Sequence, residues 1–181
     1  MPALKRKAAL CLQSPVSLSM RLMLLGFLAL TLVLSPLATR DARAAQEILV
    51  VSGNVPGGTP VVFTREDLVA LGIHSVRADT PWTDAATLFE GPLLRDVLDA
   101  ARAEGTRIEA VALNDYRVEI PMEDPRSSDM ILALRVDGKS IGVRERGPLW
   151  VIYPWDTRED MRSELYYSRA IWQLKEVIVK P

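Results

Sequence analysis

Phe89-Glu90-Gly91-Pro92-Leu93-Leu94-Arg95-Asp96-Val97-Leu98 carries the clearest helical period in this 181-residue chain. Leu93, Leu94, Val97, Leu98 and Ala101 recur at helical spacing and form one apolar face. Gly91-Pro92 predicts the helix start, with proline in the first turn where its missing N–H costs nothing. Gly105 predicts its end. A single short helix with one apolar stripe must bury that stripe against something else, so the flanking segments decide the architecture.

Those flanks are mostly strands. Ile48–Val51 is expected to be extended, followed by a turn-rich stretch from Gly53 to Pro60 and a second strand through Val61, Val62 and Phe63. Thr64 with Asp67 three residues on predicts a helix N-terminus, and Gly72 its stop, giving a helix over Arg65–Leu71. Ile73–Phe89 has only weak periodicity and contains Trp82. On the other side, Ile108–Leu113 has the continuous apolar character of a buried strand. Tyr116, Val118 and Ile120 alternate with Arg117 and Glu119 in a half-exposed strand that ends at Pro121. Ile131–Val136 and Lys139–Val143 flank Asp137-Gly138, a strong hairpin signal because both turn residues tolerate positive φ. Leu149–Tyr153 predicts another strand, Arg158–Ser168 a short helix, and Trp172–Val179 a final strand. The expected fold class is α+β: a mixed, mainly antiparallel sheet with two or three short helices.

The N-terminus differs in kind. Lys5, Arg6, Lys7 and Arg21 precede an apolar run from Leu22 to Leu37, and Ala42-Arg43-Ala44 then supplies the small-x-small pattern of a cleavage site. The run is shorter than the ~20 residues a spanning helix needs. Residues 1–44 are therefore expected to be a cleavable signal peptide, with Met1 or Met20 as the start and no permanent membrane anchor. Residues 45–181 follow as one periplasmic domain, long enough for one core and not for two.

Composition narrows the chemistry. The formal net charge of −1 gives no basic footprint for nucleic acid. The single cysteine, Cys11, lies in the leader, so residues 45–181 have no thiolate for a disulfide, a nucleophile or a metal. His74 is the only histidine. Glu119, Glu123, Asp124 and Asp129 cluster without calcium-loop spacing, Ser127-Ser128 lacks the glycines of a nucleophile elbow, and Gly53–Gly58 matches no phosphate loop.

Three polar segments remain as candidate sites. Asn114-Asp115-Tyr116 joins two strands and is either a turn or a turn that also carries a site. Arg144-Glu145-Arg146-Gly147-Pro148-Leu149-Trp150, leading into Tyr153-Pro154, is either a solvated loop or a receiver of an anion in its arginine forks. Arg169-Ala170-Ile171-Trp172-Gln173-Leu174 could equally form a pocket wall or pack with a surface ion pair. None of them names a reaction.

Taken in order, these segments resemble the oxidoreductase molybdopterin-binding domain, the sulfite-oxidase-type fold, and in particular its short exported members. The series runs from Phe89–Leu98 through Ala112-Leu113-Asn114-Asp115-Tyr116 with Ile120-Pro121. It continues with Ile131-Leu132-Ala133 and Asp137-Gly138, then Gly147-Pro148-Leu149 with Tyr153-Pro154, and ends at Trp172-Gln173-Leu174. The resemblance spans roughly Thr59 to Val179. It implies a fold that in catalytic members holds a molybdenum–pterin cofactor through the dithiolene and one protein cysteine ahead of the helix. That neighbourhood here is Arg77-Ala78-Asp79-Thr80-Pro81-Trp82, without cysteine, and neither Asp79 nor Thr80 replaces a soft thiolate. The resemblance then implies a non-catalytic ligand-binding or accessory module with no cofactor expected, molybdopterin being suggested by the family alone. Its remnant pocket would draw on Asn114, Asp115, Tyr116, Arg146, Tyr153 and Arg169 and suit a small polar or anionic ligand. A molybdopterin-dependent oxidoreductase with an atypical metal site, and an extracytoplasmic partner of a membrane sensor or redox complex, stand as alternatives.

Overall fold

The computed structural model describes residues 46–181; the expected signal peptide and Cys11 lie outside them. In chain order the strands are β1 (Glu47–Gly53), β2 (Val61–Thr64), β3 (His74–Ala78), β4 (Thr87–Gly91), β5 (Arg107–Ala112) and β6 (Arg117–Pro121). They continue with β7 (Ile131–Ala133), β8 (Arg135–Val136), β9 (Lys139–Ser140), β10 (Trp150–Ile152) and β11 (Leu174–Lys180). Four short helices punctuate them: α1 (Arg65–Ala70), α2 (Leu94–Ala100), α3 (Glu123–Ser127) and α4 (Glu164–Arg169).

The largest sheet has the order β2-β1-β11-β5-β6, and a second has the order β3-β4-β8-β9, with β10 and β7 forming a separate pair. Among the described residues only β1 and β11 run parallel; every other pairing is antiparallel. The mixed, mainly antiparallel α+β architecture expected from the sequence is therefore the one observed. Among the described residues no helix is long and apolar enough to cross a membrane.

Local chemistry explains the elements that the sequence announces. Thr64 caps α1: its hydroxyl accepts from Asp67 N–H at 3.1 Å, and its own N–H donates to the Asp67 carboxylate at 2.9 Å. The backbone hydrogen bond from Thr64 holds the Asp67 carboxyl below the usual carboxylate range. At the hairpin between β8 and β9, Asp137 and Gly138 take φ of 47° and 76°, and Val136 pairs with Lys139 across the turn.

Three expectations change. Among the described residues four short helices form rather than two or three, because the acidic stretch, where no element was expected, makes the single turn of α3. Pro92 does not open the central helix, because Gly91 closes β4 and Leu93 is the helix N-cap. The reason is backbone proximity: the 130–134 segment lies along residues 90–94, with hydrogen bonds Leu94 N→Met130 O, Leu132 N→Pro92 O and Leu134 N→Glu90 O of 3.0, 2.9 and 2.8 Å. A Cβ on Gly91 would come within 1.8 Å of the Leu132 carbonyl oxygen, so only glycine admits this approach. Ile131–Val136, expected as one strand, accordingly divides. β7 pairs with β10, while β8 pairs with β4 and β9. The weakly periodic Ile73–Phe89 stretch supplies β3 and much of β4, joined by the loop that carries Trp82.

One continuous apolar core unites these elements, with Phe89, Trp150, Tyr153, Trp155 and Leu98 among its most deeply buried members. The apolar stripe of α2 (Leu94, Val97, Leu98) is wholly inside it. Each such side chain contributes about 1.5–3 kcal/mol relative to exposure.

Candidate functional site

Asn114-Asp115-Tyr116 is a turn built by its own side chains. Asp115 N–H donates to Ala112 O at 3.0 Å, the Asn114 side-chain oxygen accepts from Tyr116 N–H at 3.1 Å, and Asp115 takes φ of 64°. The same geometry sorts the three side chains. Asn114 and Tyr116 line a cleft of ≈ 380 Å³. Asp115 instead accepts from Lys175 Nζ at 2.6 Å on the surface, a hydrogen bond that holds its carboxyl below the usual range.

The cleft lies between this turn, α4 with the Ala170–Trp172 segment that follows it, and Trp82 from the β3–β4 loop. Its walls are largely aromatic. Trp82 meets the ring of Trp172 at 78° with centroids 5.6 Å apart, and that of Tyr167 at 85° and 5.9 Å. Both are edge-to-face contacts, the arrangement favoured by the negative face and positive rim of aromatic rings. Tyr116 is 53% exposed and Trp172 37% exposed, so two of the rings are reached directly from solvent. In the core, packed against these rings, Trp150 donates from its indole to Ala170 O at 3.1 Å and Trp155 to Met161 O at 2.9 Å, which fixes both indoles.

Arg146 stands outside the cleft. Its guanidinium lies over the rings of Trp150 and Trp172, 5.3 and 5.8 Å from their centroids. It lines an adjoining depression of ≈ 310 Å³ together with Thr83, Asp137, Lys139 and Ser140.

Tyr153 and Arg169 are brought together elsewhere, by a residue that the sequence gave no reason to single out. Asp124, 8% exposed in α3, accepts from the Tyr153 hydroxyl at 2.8 Å and from Arg169 Nη1 at 2.9 Å. Burial, and then the adjacent Asp124 carboxylate, push the Tyr153 phenol well above its ordinary range, so it stays a donor. Arg169 also faces the Tyr166 ring at 5.6 Å. The network ties α3, α4 and the end of β10 together beneath the surface.

The six candidates thus separate: Asn114 and Tyr116 in the cleft, Asp115 in a surface pair, Arg146 against two indoles, and Tyr153 with Arg169 in a buried network. The cleft gains Trp82, Glu164, Tyr167, Ser168 and Trp172. Glu164 and Ser168, four apart on α4, share one helix face with each other and flank Tyr167, a spacing visible in the sequence. Among the described residues no group of three His, Cys, Asp or Glu side chains is placed to hold a metal ion.

With this geometry in hand, comparison with known proteins gives a consistent answer. The family pattern of the oxidoreductase molybdopterin binding domain matches residues 48–158. Among solved structures, the sulfane dehydrogenase SoxCD from Paracoccus pantotrophus is similar, with a TM-score of 0.53 and 18% sequence identity. The match covers 72% of this chain and 37% of that one, so the likeness is one of fold, and this chain spans well under half of that protein's length. No curated protein matches.

Proposed function

The chain belongs to the oxidoreductase molybdopterin-binding domain family, and from that premise we propose that it is a non-catalytic member, a periplasmic ligand-binding or accessory module. It keeps the family fold and offers the aromatic cleft between the 114–116 turn and α4 to a small ligand. In this reading the ligand-bound state is passed to a membrane sensor or redox complex. The periplasmic location rests on the leader expected over residues 1–44.

The observation that carries the proposal is the chemistry of the donors. A molybdenum–pterin cofactor calls for a soft ligand to the metal and for cationic hydrogen-bond donors to its phosphate. No cysteine occurs from Gln46 to Pro181, neither lysine nor arginine lines the cleft, and in the adjoining depression Lys139 and Arg146 stand beside the carboxylates of Asp137 and Glu145. In the Arg77–Trp82 stretch, the Thr80 hydroxyl is engaged with that of Thr83 at 3.0 Å, and Trp82 is packed into the aromatic cluster. The residues present do not fit that cofactor. What they do supply is a pre-formed, mostly apolar concavity with a few polar groups, the usual make-up of a small-molecule site.

Metal analysis and the visible spectrum test the proposal on protein isolated from the periplasm of a host that makes the cofactor. The expected result is molybdenum far below one per chain and no absorption beyond the aromatic band. One molybdenum per chain overturns the proposal.

A further inference from the structure

Resting on the reading of the cleft as a ligand site, we propose that its ligand is an organic cation: a quaternary or tertiary ammonium group on a small apolar body. The rings set the first condition. Trp82 stands nearly perpendicular to both Trp172 (78°) and Tyr167 (85°), all three rings line the cleft, and Tyr116 adds a fourth aromatic side chain from the 114–116 turn. The electron-rich faces of such rings attract a cation whose charge is spread over alkyl groups, most strongly when it leaves bulk water.

The charges set the second condition. Glu164 is the one charged side chain lining the cleft, and it forms no salt bridge among the described residues. Arg169 is paired with Asp124, and Arg146 lines the adjoining depression while its guanidinium lies over Trp150 and over Trp172, a wall the two concavities share. An anion entering the cleft would meet a carboxylate and aromatic rings, with no lysine or arginine among the lining residues. Arg146 itself, held over Trp150 and Trp172, is a cation already bound by this same aromatic cluster.

The smaller polar side chains of the cleft are partly engaged already. The Ser168 hydroxyl donates to Leu165 O at 2.7 Å, and the Asn114 side-chain oxygen is taken by Tyr116 N–H. The remaining polar groups of the lining, the Asn114 amide, the Glu164 carboxylate and the tips of the aromatic rings, are set singly among apolar surface, which suits one or two polar groups on a ligand better than the many adjacent hydroxyls of a sugar. The cleft volume of ≈ 380 Å³ accommodates a trimethylammonium head with a short tail.

The test is calorimetric titration of the protein purified from the periplasm, with tryptophan fluorescence as a second readout. The probes are choline, its uncharged isostere 3,3-dimethylbutan-1-ol, and sodium sulfate. Choline is expected to bind and perturb the fluorescence, with the isostere about 10-fold weaker, the equivalent of about 1.4 kcal/mol of cation–π and ionic attraction. Glu164→Gln and Tyr116→Leu, both at solvent-exposed positions, are each expected to weaken choline several-fold while leaving the circular dichroism spectrum unchanged. Equal affinity for choline and its isostere, preference for sulfate, or insensitivity to both substitutions overturns the cation assignment. No choline binding at tens of millimolar, in protein shown to be free of molybdenum, overturns that assignment alone. Molybdenum at one per chain overturns the module reading beneath it.

Discussion

Replacing Asp124 by alanine probes the buried network most directly. The carboxylate is 8% exposed and accepts from Tyr153 at 2.8 Å and from Arg169 at 2.9 Å. Its loss leaves the Tyr153 hydroxyl, on a fully buried ring, without an acceptor, at a cost of about 1–3 kcal/mol. It also strips the counter-ion from Arg169, whose side chain is 16% exposed. Breaking a buried pair on one side typically costs about 3–5 kcal/mol. Arg169 keeps some water and the Tyr166 ring, so the combined loss for Asp124→Ala is expected near the lower end, about 3–4 kcal/mol. That is a large share of the 5–15 kcal/mol typical of a domain. Tyr153→Phe keeps the ion pair and is expected to cost about 1–2 kcal/mol. Asp124→Leu combined with Arg169→Met removes both charges and is expected to be less damaging than Asp124→Ala alone. Urea unfolding followed by tryptophan fluorescence measures all three, with the midpoint shifting and the slope unchanged. If Asp124→Ala costs less than about 1 kcal/mol, or no more than Tyr153→Phe, the network does not carry the stability assigned to it.

Other outcomes follow from single features. The Tyr153 phenol is raised in the folded protein, so its contribution is complete below the unfolded tyrosine value and is lost as pH rises beyond about 10; stability curves of wild type and Tyr153→Phe should converge there. Gly91→Ala places a methyl within 1.8 Å of a backbone oxygen and is expected to cost at least about 3 kcal/mol in the same urea assay, because neither β4 nor β7 can move without breaking its ladder. Thr64→Ala removes the cap of α1 and is expected to lower stability by about 1 kcal/mol while leaving choline affinity unchanged.

Features that depend on a few adjacent residues were legible in the sequence. The Thr64–Asp67 cap and the Asp137-Gly138 turn each satisfy their hydrogen bonds within four residues, so no distant partner is needed to interpret them. The strands β3 and β4 were not legible, because the alternating period is broken by the loop between them and their stability comes from each other and from β8. Pro92 was misplaced by one role for a similar reason. Gly91 answers to Leu132, forty-one positions away in the chain, and a helix rule cannot register that. The site divided along the same line. The local hydrogen bonds of the 114–116 turn made Asn114 and Tyr116 visible, whereas Asp124 lay in an acidic run whose solvated appearance gave no hint of its partners in α4 and β10. Trp82 and Trp172 were visible as aromatic residues but not as neighbours, since a contact between the β3–β4 loop and the start of the last segment has no sequence spacing to betray it.

The parallel pairing of β1 with β11 bears on timing. In the largest sheet β11 is the central strand, with β1 and β2 on one side and β5 and β6 on the other. It is also the last of the described strands in chain order. Whatever handles this polypeptide from its first residue to its last, a ribosome or a translocation channel, therefore releases two hairpins whose strand ladders have no common neighbour until Leu174–Lys180 arrives. Up to that moment the chain lacks the middle of its principal sheet, and the same seven residues then supply the neighbour that both β1 and β5 require.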